Sequence, residues 1–201
     1  MLKIVFFLFL SVLYFDLSAA EGVIDHSART FEIREKKRER VDLFDFSGAF
    51  VNLEKIDIDA RRKKNVELLV TGDFPLLEKI SYEGTFGLLK GSLTGNFSLL
   101  EEVSILCTNC AMELDLKGHW EKSCEIVIRG GKENITLLLP EEVGIIVKTK
   151  TAPKGKVILS SDLKKKGFGI WKKKYMNPLA ETAPIVLTIS IESSEGAILL
   201  K

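Results

Sequence analysis

Four groups of residues in this chain have types and spacings that could carry chemistry. Cys107-Thr108-Asn109-Cys110 has the two-residue gap of a redox pair, in which one thiolate attacks a disulfide and the other resolves it. His26 and His119 are its two histidines, the side chains best suited to proton transfer or metal ligation near neutral pH. The carboxylate pairs Asp57/Asp59 and Glu113/Asp115 could act as acid and base on a polysaccharide. Lys164, Lys165, Lys166, Phe168, Trp171, Lys172, Lys173, Lys174 and Tyr175 interleave cations with rings, a combination suited to an anionic polymer, a phospholipid surface or a sugar.

What these groups can do depends on the elements that hold them, and a repeat defines those elements. Ser-Gly-Ala-Phe-Val-Asn-Leu-Glu-Lys-Ile at residues 47–56 returns as Thr-Gly-Asp-Phe-Pro-Leu-Leu-Glu-Lys-Ile at 71–80 and as Thr-Gly-Asn-Phe-Ser-Leu-Leu-Glu-Glu-Val at 94–103. It decays into Lys-Gly-His-Trp-Glu-Lys-Ser-Cys-Glu-Ile at 117–126, so the steps are 24, 23 and 23 residues. A constant step of this size marks stacked units, none of which can bury its apolar face alone.

Within each unit apolar and polar residues alternate at period two, as in Met112-Glu-Leu-Asp-Leu-Lys117, which predicts strands. A shift of 23 carries Val66, Leu68 and Val70 onto Leu89, Gly91 and Leu93, then onto Met112, Leu114 and Leu116, then onto Ile135, Leu137 and Leu139. A second column runs through Ile56, Ile80, Val103, Ile126 and Ile145. The reading is an all-β, parallel β-solenoid of about six coils with two short strands each, the fifth closing at Val157 and Leu159 and the sixth pairing residues 185–191 with 197–200. Strands about 4.8 Å apart make such a stack roughly 25 to 30 Å tall. Gly48, Gly72, Gly95 and Gly118 are expected to turn corners with φ above zero, and Phe50, Phe74, Phe97 and Trp120 to fill the interior beneath them. A leucine-rich repeat has a similar period but needs an Asn or Cys ladder, and Asn109 has no counterpart at Phe86 or Lys132.

The register sorts the candidate chemistry. His119 falls where Asp73 and Asn96 fall, an outward corner, and is expected to be a solvated turn residue. Cys107 and Cys110 lie at a β corner with no helix to depress a thiol pKa, so the pair is read as a local turn disulfide or two reduced thiols. Cys124 stacks over Glu101, about 20 Å along the strand path from Cys107, too far for a disulfide, and is expected to be free or intermolecular. The carboxylate pairs point outward, as solubility alone would demand. No catalytic residue, metal site or cofactor is assigned.

The ends and the composition bound the function class. Lys3, the apolar residues 4–14 and the small residues Ser18, Ala19 and Ala20 have the form of a signal peptide over 1–20, short of the roughly 20 apolar residues that span a bilayer comfortably, with an uncleaved N-terminal anchor as the alternative. Residues 21–46 read as a charged lead-in and 47–201 as the solenoid, with a Lys/aromatic insertion at 160–184. Hydrophobic content of 46% supplies a core, a net charge of +1 gives no general attraction to nucleic acid, and three cysteines are too few for a disulfide-built scaffold. Two further basic clusters, at 36–40 and 61–64, should occupy edges different from the lysine insertion, so no continuous nucleic-acid groove is expected.

The run from Leu77 to Lys201 resembles the toast-rack and adhesin-type β-solenoid families, relatives of the extracytoplasmic domain of cell-wall-stress response proteins. The resemblance rests on Gly-Ser-Leu-Thr-Gly-Asn-Phe at 91–97, Glu-Leu-Asp-Leu-Lys-Gly-His-Trp at 113–120, Leu139-Pro-Glu-Glu-Val-Gly144 and the final Gly196-Ala-Ile-Leu-Leu. It implies an envelope-located, non-enzymatic role and carries over no catalytic residue. The function expected is an exported adhesin-like or envelope-stress-associated interaction module, periplasmic, cell-surface or extracellular, with the lysine–aromatic insertion as its contact surface. Its partner would be an anionic envelope polymer, a lipid surface or an envelope protein. The alternatives are a polysaccharide-acting envelope enzyme and a thiol-exchange protein.

Overall fold

The computed structural model describes residues 12–14, 28–34, 42–159, 162–166 and 172–201. Among them the chain is built from strands, most of them short, with one 3-10 turn at Pro178–Glu181, and no helix is long and apolar enough to cross a membrane. The period-two alternation decides the orientation of each strand. In Lys55–Ala60 the side chains of Ile56, Ile58 and Ala60 are buried while Lys55, Asp57 and Asp59 face outward.

Each regular turn of the solenoid has three sides. The first side stacks Thr30–Arg34, Lys55–Ala60, the first halves of Lys79–Leu93 and Glu102–Asp115, and Cys124–Gly130, all parallel. The second stacks Asp42–Phe46, Asn65–Val70, the second halves of the two long strands, and Ile135–Leu138. The third is a ladder of two-residue strands, Asp73–Phe74, Asn96–Phe97 and His119–Trp120. The 23-residue shift read from the sequence is the register observed: Val66 pairs with Leu89, Leu89 with Met112 and Met112 with Ile135. The stack takes in Thr30–Arg34 and Asp42–Phe46, ahead of the first visible repeat, and Val12–Tyr14 pairs in parallel with Thr30–Arg34.

The aromatic column forms as expected. Phe50 and Phe74 stack with centroids 5.3 Å apart, Phe74 and Phe97 at 5.7 Å, and Phe97 and Trp120 at 5.0 Å. Trp120 Nε1 donates to the Leu116 carbonyl at 2.9 Å, so the one polar atom in the column is satisfied. The glycines do their work differently from the expectation. Only Gly48 among the four repeat glycines has a positive φ, 142°. At Gly72 a Cβ would lie 1.6 Å from the Gly48 carbonyl oxygen, at Gly95 2.5 Å from that of Gly72, and at Gly118 2.7 Å from that of Leu93. These positions exclude side chains because backbones of successive turns meet there, with Asp73 N donating to Gly48 O and Asn96 N to Gly72 O at 2.7 and 2.9 Å.

The end of the stack departs from sequence order. About four turns follow one another regularly, rather than six, and the last coil does not sit last. Val186–Ser193 lies between Cys124–Gly130 and Gly144–Thr151, parallel to both, and Ile198–Leu200 lies between Ile135–Leu138 and Val157–Leu159. Ile126 is therefore covered by Ile189, and Ile189 by Val147. The physical reason lies in the inward residues: Val186–Ser193 turns Leu187, Ile189 and Ile191 into the interior, whereas Gly144–Thr151 turns Thr149 and Thr151 inward beside Ile145 and Val147 and takes the outer position. Beyond it the sheet continues antiparallel, with Lys172–Met176 on Gly144–Thr151 and Lys164–Lys166 on Lys172–Met176.

Phe74 is fully buried between Phe50 and Phe97, while Leu76, two residues on, is 39% exposed. Phe74→Ala is expected to cost about 3 to 5 kcal/mol in urea unfolding and Leu76→Ala less than about 1 kcal/mol. Equal losses at the two positions would contradict the stacked interior.

Candidate functional site

The lysine insertion is a pair of antiparallel strands, and pairing decides where each side chain points. Residues directly opposite on neighbouring strands share a face of the sheet. Lys148 is opposite Lys174, and Lys174 is opposite Lys166; Lys150 is opposite Lys172; Ile146 is opposite Met176, and Met176 is opposite Lys164. Val147, buried, is opposite Tyr175, and Thr149, also buried, is opposite Lys173, so these positions belong to the inner face. Lys148, Lys150, Lys164, Lys166, Lys172 and Lys174 are consequently outward and exposed on three adjacent strands.

The sequence reading is changed in two ways. Lys165 and Lys173 are opposite Tyr175 and Thr149 and lie on the other face from the remaining four lysines of the insertion. Tyr175 is 5% exposed and packs in the core, where burial raises its hydroxyl pKa, so its ring is a plug under the outermost turn and not part of a contact surface. Phe168 and Trp171 lie outside the described residues. The residues missed are Lys148 and Lys150, whose signal was present in the alternation Val147-Lys-Thr-Lys-Thr151.

No acidic residue occurs on any of the three strands. Carboxylates reach the patch from outside it, Glu192 to Lys150 at 3.3 Å and Glu181 to Lys166 at 3.4 Å, all four side chains more than half exposed. Such exposed pairs contribute little stability and leave the lysines available to other anions. The basic cluster at 61–64 is different. Arg61 is held by Asp59 and lies 3.8 Å from Glu83, and Lys63 is buried against Asp42 at 2.8 Å, so both cations serve the scaffold. The cluster at 36–40 lies outside the described residues.

The remaining candidates fall into structural roles. Asp57 is bonded to Lys55 at 2.9 Å and Asp115 accepts from the Lys117 backbone at 3.0 Å, both on open sheet faces. A shallow cleft of about 380 Å³ on the third side has Asp73 as its one acidic side chain, hydrogen-bonded by Asn96. It lacks the second carboxylate that glycoside hydrolysis uses. His119 stands opposite Asn96 on that side, exposed.

Cys107 and Cys110 form a disulfide, with Cα atoms 5.5 Å apart. In the turn below, Gly84 is in register with Cys107, where a Cβ would lie 2.7 Å from the sulfur, so its missing side chain makes room for the bond; Gly87, in register with Cys110, has a φ of 106° and packs against the Lys64 carbonyl of the next turn. Both cysteines are buried, at 0 and 2% exposure, which blocks the in-line approach of an attacking thiolate and counts against thiol exchange. Cys124 is free and buried; it sits over Glu101, and burial first, then the nearby carboxylates Glu102, Glu101 and Glu125, pushes its thiol from 9 up to about 12.

No family model matches the chain, and no curated protein matches it. It is similar to the crystal structure of a Clostridium sporogenes ATCC 15579 protein provisionally assigned to cell adhesion, with a TM-score of 0.53 and 22% identity over 63% of this chain. The match spans 57% of that protein's chain, and at this identity it shows the fold.

Iodoacetamide at pH 8 is expected to leave the native protein unmodified and, in denaturant without reductant, to label Cys124 alone. A second labelled cysteine would mean that the 107–110 bond does not form. Because Cys124 keeps its proton in the fold to a higher pH than in the unfolded chain, its contribution to stability is full below pH 9 and is lost as pH rises from 9 toward about 12. Cys124→Ala should remove that part of the alkaline loss. Replacing Cys110 by Ser should cost about 2 kcal/mol, the loop-closure value for so short a loop.

Proposed function

We propose that this protein is an exported, non-enzymatic β-solenoid that acts as an adhesin-like surface interaction module, and that it meets anionic envelope material through the lysines of its outermost strands. The observation that carries the reading is the set of six outward lysines on three neighbouring strands that contain no acid.

Like charges placed opposite one another across strands cost stability, so such a surface needs a reason. Protection of a sheet edge is one use of lysine. It would require lysines on the outermost strand, Lys164–Lys166, whereas Lys148, Lys150, Lys172 and Lys174 lie on strands paired on both sides. An anionic partner supplies the missing countercharge.

Export is supported by the leader-like residues 1–20 and by the buried disulfide, a bond that persists in oxidising compartments. Cleavage after Ala20 would remove Val12–Tyr14 and leave Thr30–Arg34 as the first parallel strand of that side. The likeness to a protein provisionally assigned to cell adhesion is consistent with a surface role. A link to envelope stress rests on the family resemblance alone.

The test is co-sedimentation of the mature protein with anionic liposomes and with purified envelope material over a salt series, beside a variant carrying Lys164→Glu, Lys166→Glu, Lys172→Glu and Lys174→Glu. The expected result is binding that falls at least about tenfold as added salt shortens the screening length from about 10 to 3 Å and that the variant lacks. Binding unaffected by salt or by the substitutions would overturn the reading.

A further inference from the structure

We infer that the lysine surface is a two-row cradle for a linear polyanion, a phosphate- or carboxylate-bearing chain that lies across the strands, and that Lys148 and Lys150 are two of its five lysines. The inference rests on the proposed anion-binding role and specifies the shape of its ligand.

The rows follow from the pairing. Lys148, Lys174 and Lys166 face outward from three adjacent strands at consecutive opposite positions, forming one row at right angles to the strands. Lys150 and Lys172 form a second row two residues along. Strand spacing sets about 4.8 Å between neighbours in a row, and two residues of extended chain set about 7 Å between rows. A linear chain with one negative charge about every 5 Å can run between the rows, meeting an ammonium from each side on Gly144–Thr151 and Lys172–Met176 and that of Lys166 on the third strand. Three strands accommodate two or three charged units.

The rest of the same face argues for a chain over a plane. Followed down the stack, the two rows continue through Ser190 and Glu192 on Val186–Ser193, and further strands of this side present Glu125, Glu102, Glu83, Asp59 and Asp57 outward, interspersed with Arg129 opposite Glu192 and with Lys79 and Lys55. An anionic bilayer laid against this side would meet those carboxylates as well as the lysines. A linear chain engages the lysine rows and turns away where Glu192 ends the second one. Glu192 is also the internal competitor, since it already reaches Lys150 at 3.3 Å.

The rows exist because the last coil is inserted out of order. With Val186–Ser193 in the slot, Gly144–Thr151 becomes the outermost parallel strand and its lysines can stand opposite those of Lys172–Met176. Residues 148–150 and 172–174 are thus joined into one surface from separate segments of the chain.

The test measures binding of the mature protein at low salt to long-chain inorganic polyphosphate and to polygalacturonate, with orthophosphate and phosphatidylglycerol vesicles as comparison probes. Lys148→Glu with Lys150→Glu should weaken binding to at least one polymer 10- to 100-fold, as much as Lys172→Glu with Lys174→Glu. Glu192→Gln should tighten it two- to fivefold. Lys90→Glu with Lys117→Glu, the same charge change on the second side, should leave it within twofold. Orthophosphate should not compete at equal phosphate concentration. If the substitutions at 172 and 174 abolish binding while those at 148 and 150 leave it intact, the strand pair alone is the site and the cradle is wrong, although anion binding stands. Vesicles bound more tightly per charge than either polymer would also overturn the cradle. Absence of binding to every probe by the unsubstituted protein would overturn both.

Discussion

Parallel coils can hydrogen-bond around their whole contour only if each residue sits one strand spacing above its counterpart, and the Thr-Gly corner is one of the tight points of that contour. There the carbonyl of Gly48 occupies the place where a Cβ of Gly72 would be, and the carbonyl of Gly72 crowds Gly95 in the same way. Side-chain-free corners let the third side close, and its closure sets Phe50, Phe74, Phe97 and Trp120 above one another in the interior. The same vertical logic places the disulfide, since the Cys107 sulfur occupies space that Gly84 leaves open one turn below.

A solenoid built this way has an end to close, and the chain closes it by a change of order and of direction. The most apolar coil is slotted into the stack and paired on both sides. The more polar strand Gly144–Thr151 is pushed outward, and antiparallel strands cover it while Tyr175 seals the interior. The lysine surface is a product of that closure, because antiparallel pairing aligns the alternate lysines of two segments on one face. Fold and candidate site are therefore coupled through the position of a single coil.

Much of this was legible in the sequence. The 23-residue shift gave the register of the interior columns, the place of His119 opposite Asn96 and the separation of Cys124 from Cys107. The repeated glycine was visible, but its cause was not, since a corner with positive φ and a close backbone approach both demand glycine. The coil order was illegible for a different reason: Ile145 and Val147 match the column of Cys124 and Ile126 as well as Leu187 and Ile189 do, so alternation alone does not rank them. Tyr175 looked like part of a basic, aromatic surface because lysines precede it, and only its partner across the strands, Val147, reveals that it points inward. Lys148 and Lys150 were missed because their neighbours come from residues 172–174, and no repeat links the two segments.

The account depends most on the position of the last coil, and methyl-labelled nuclear Overhauser spectroscopy reads it directly. The structure predicts contacts from Ile189 to both Ile126 and Val147, with none between Ile126 and Val147, which lie two strand spacings apart, about 10 Å. A direct Ile126–Val147 contact, with Ile189 seen by only one of them, would place the coils in sequence order and dissolve the lysine surface.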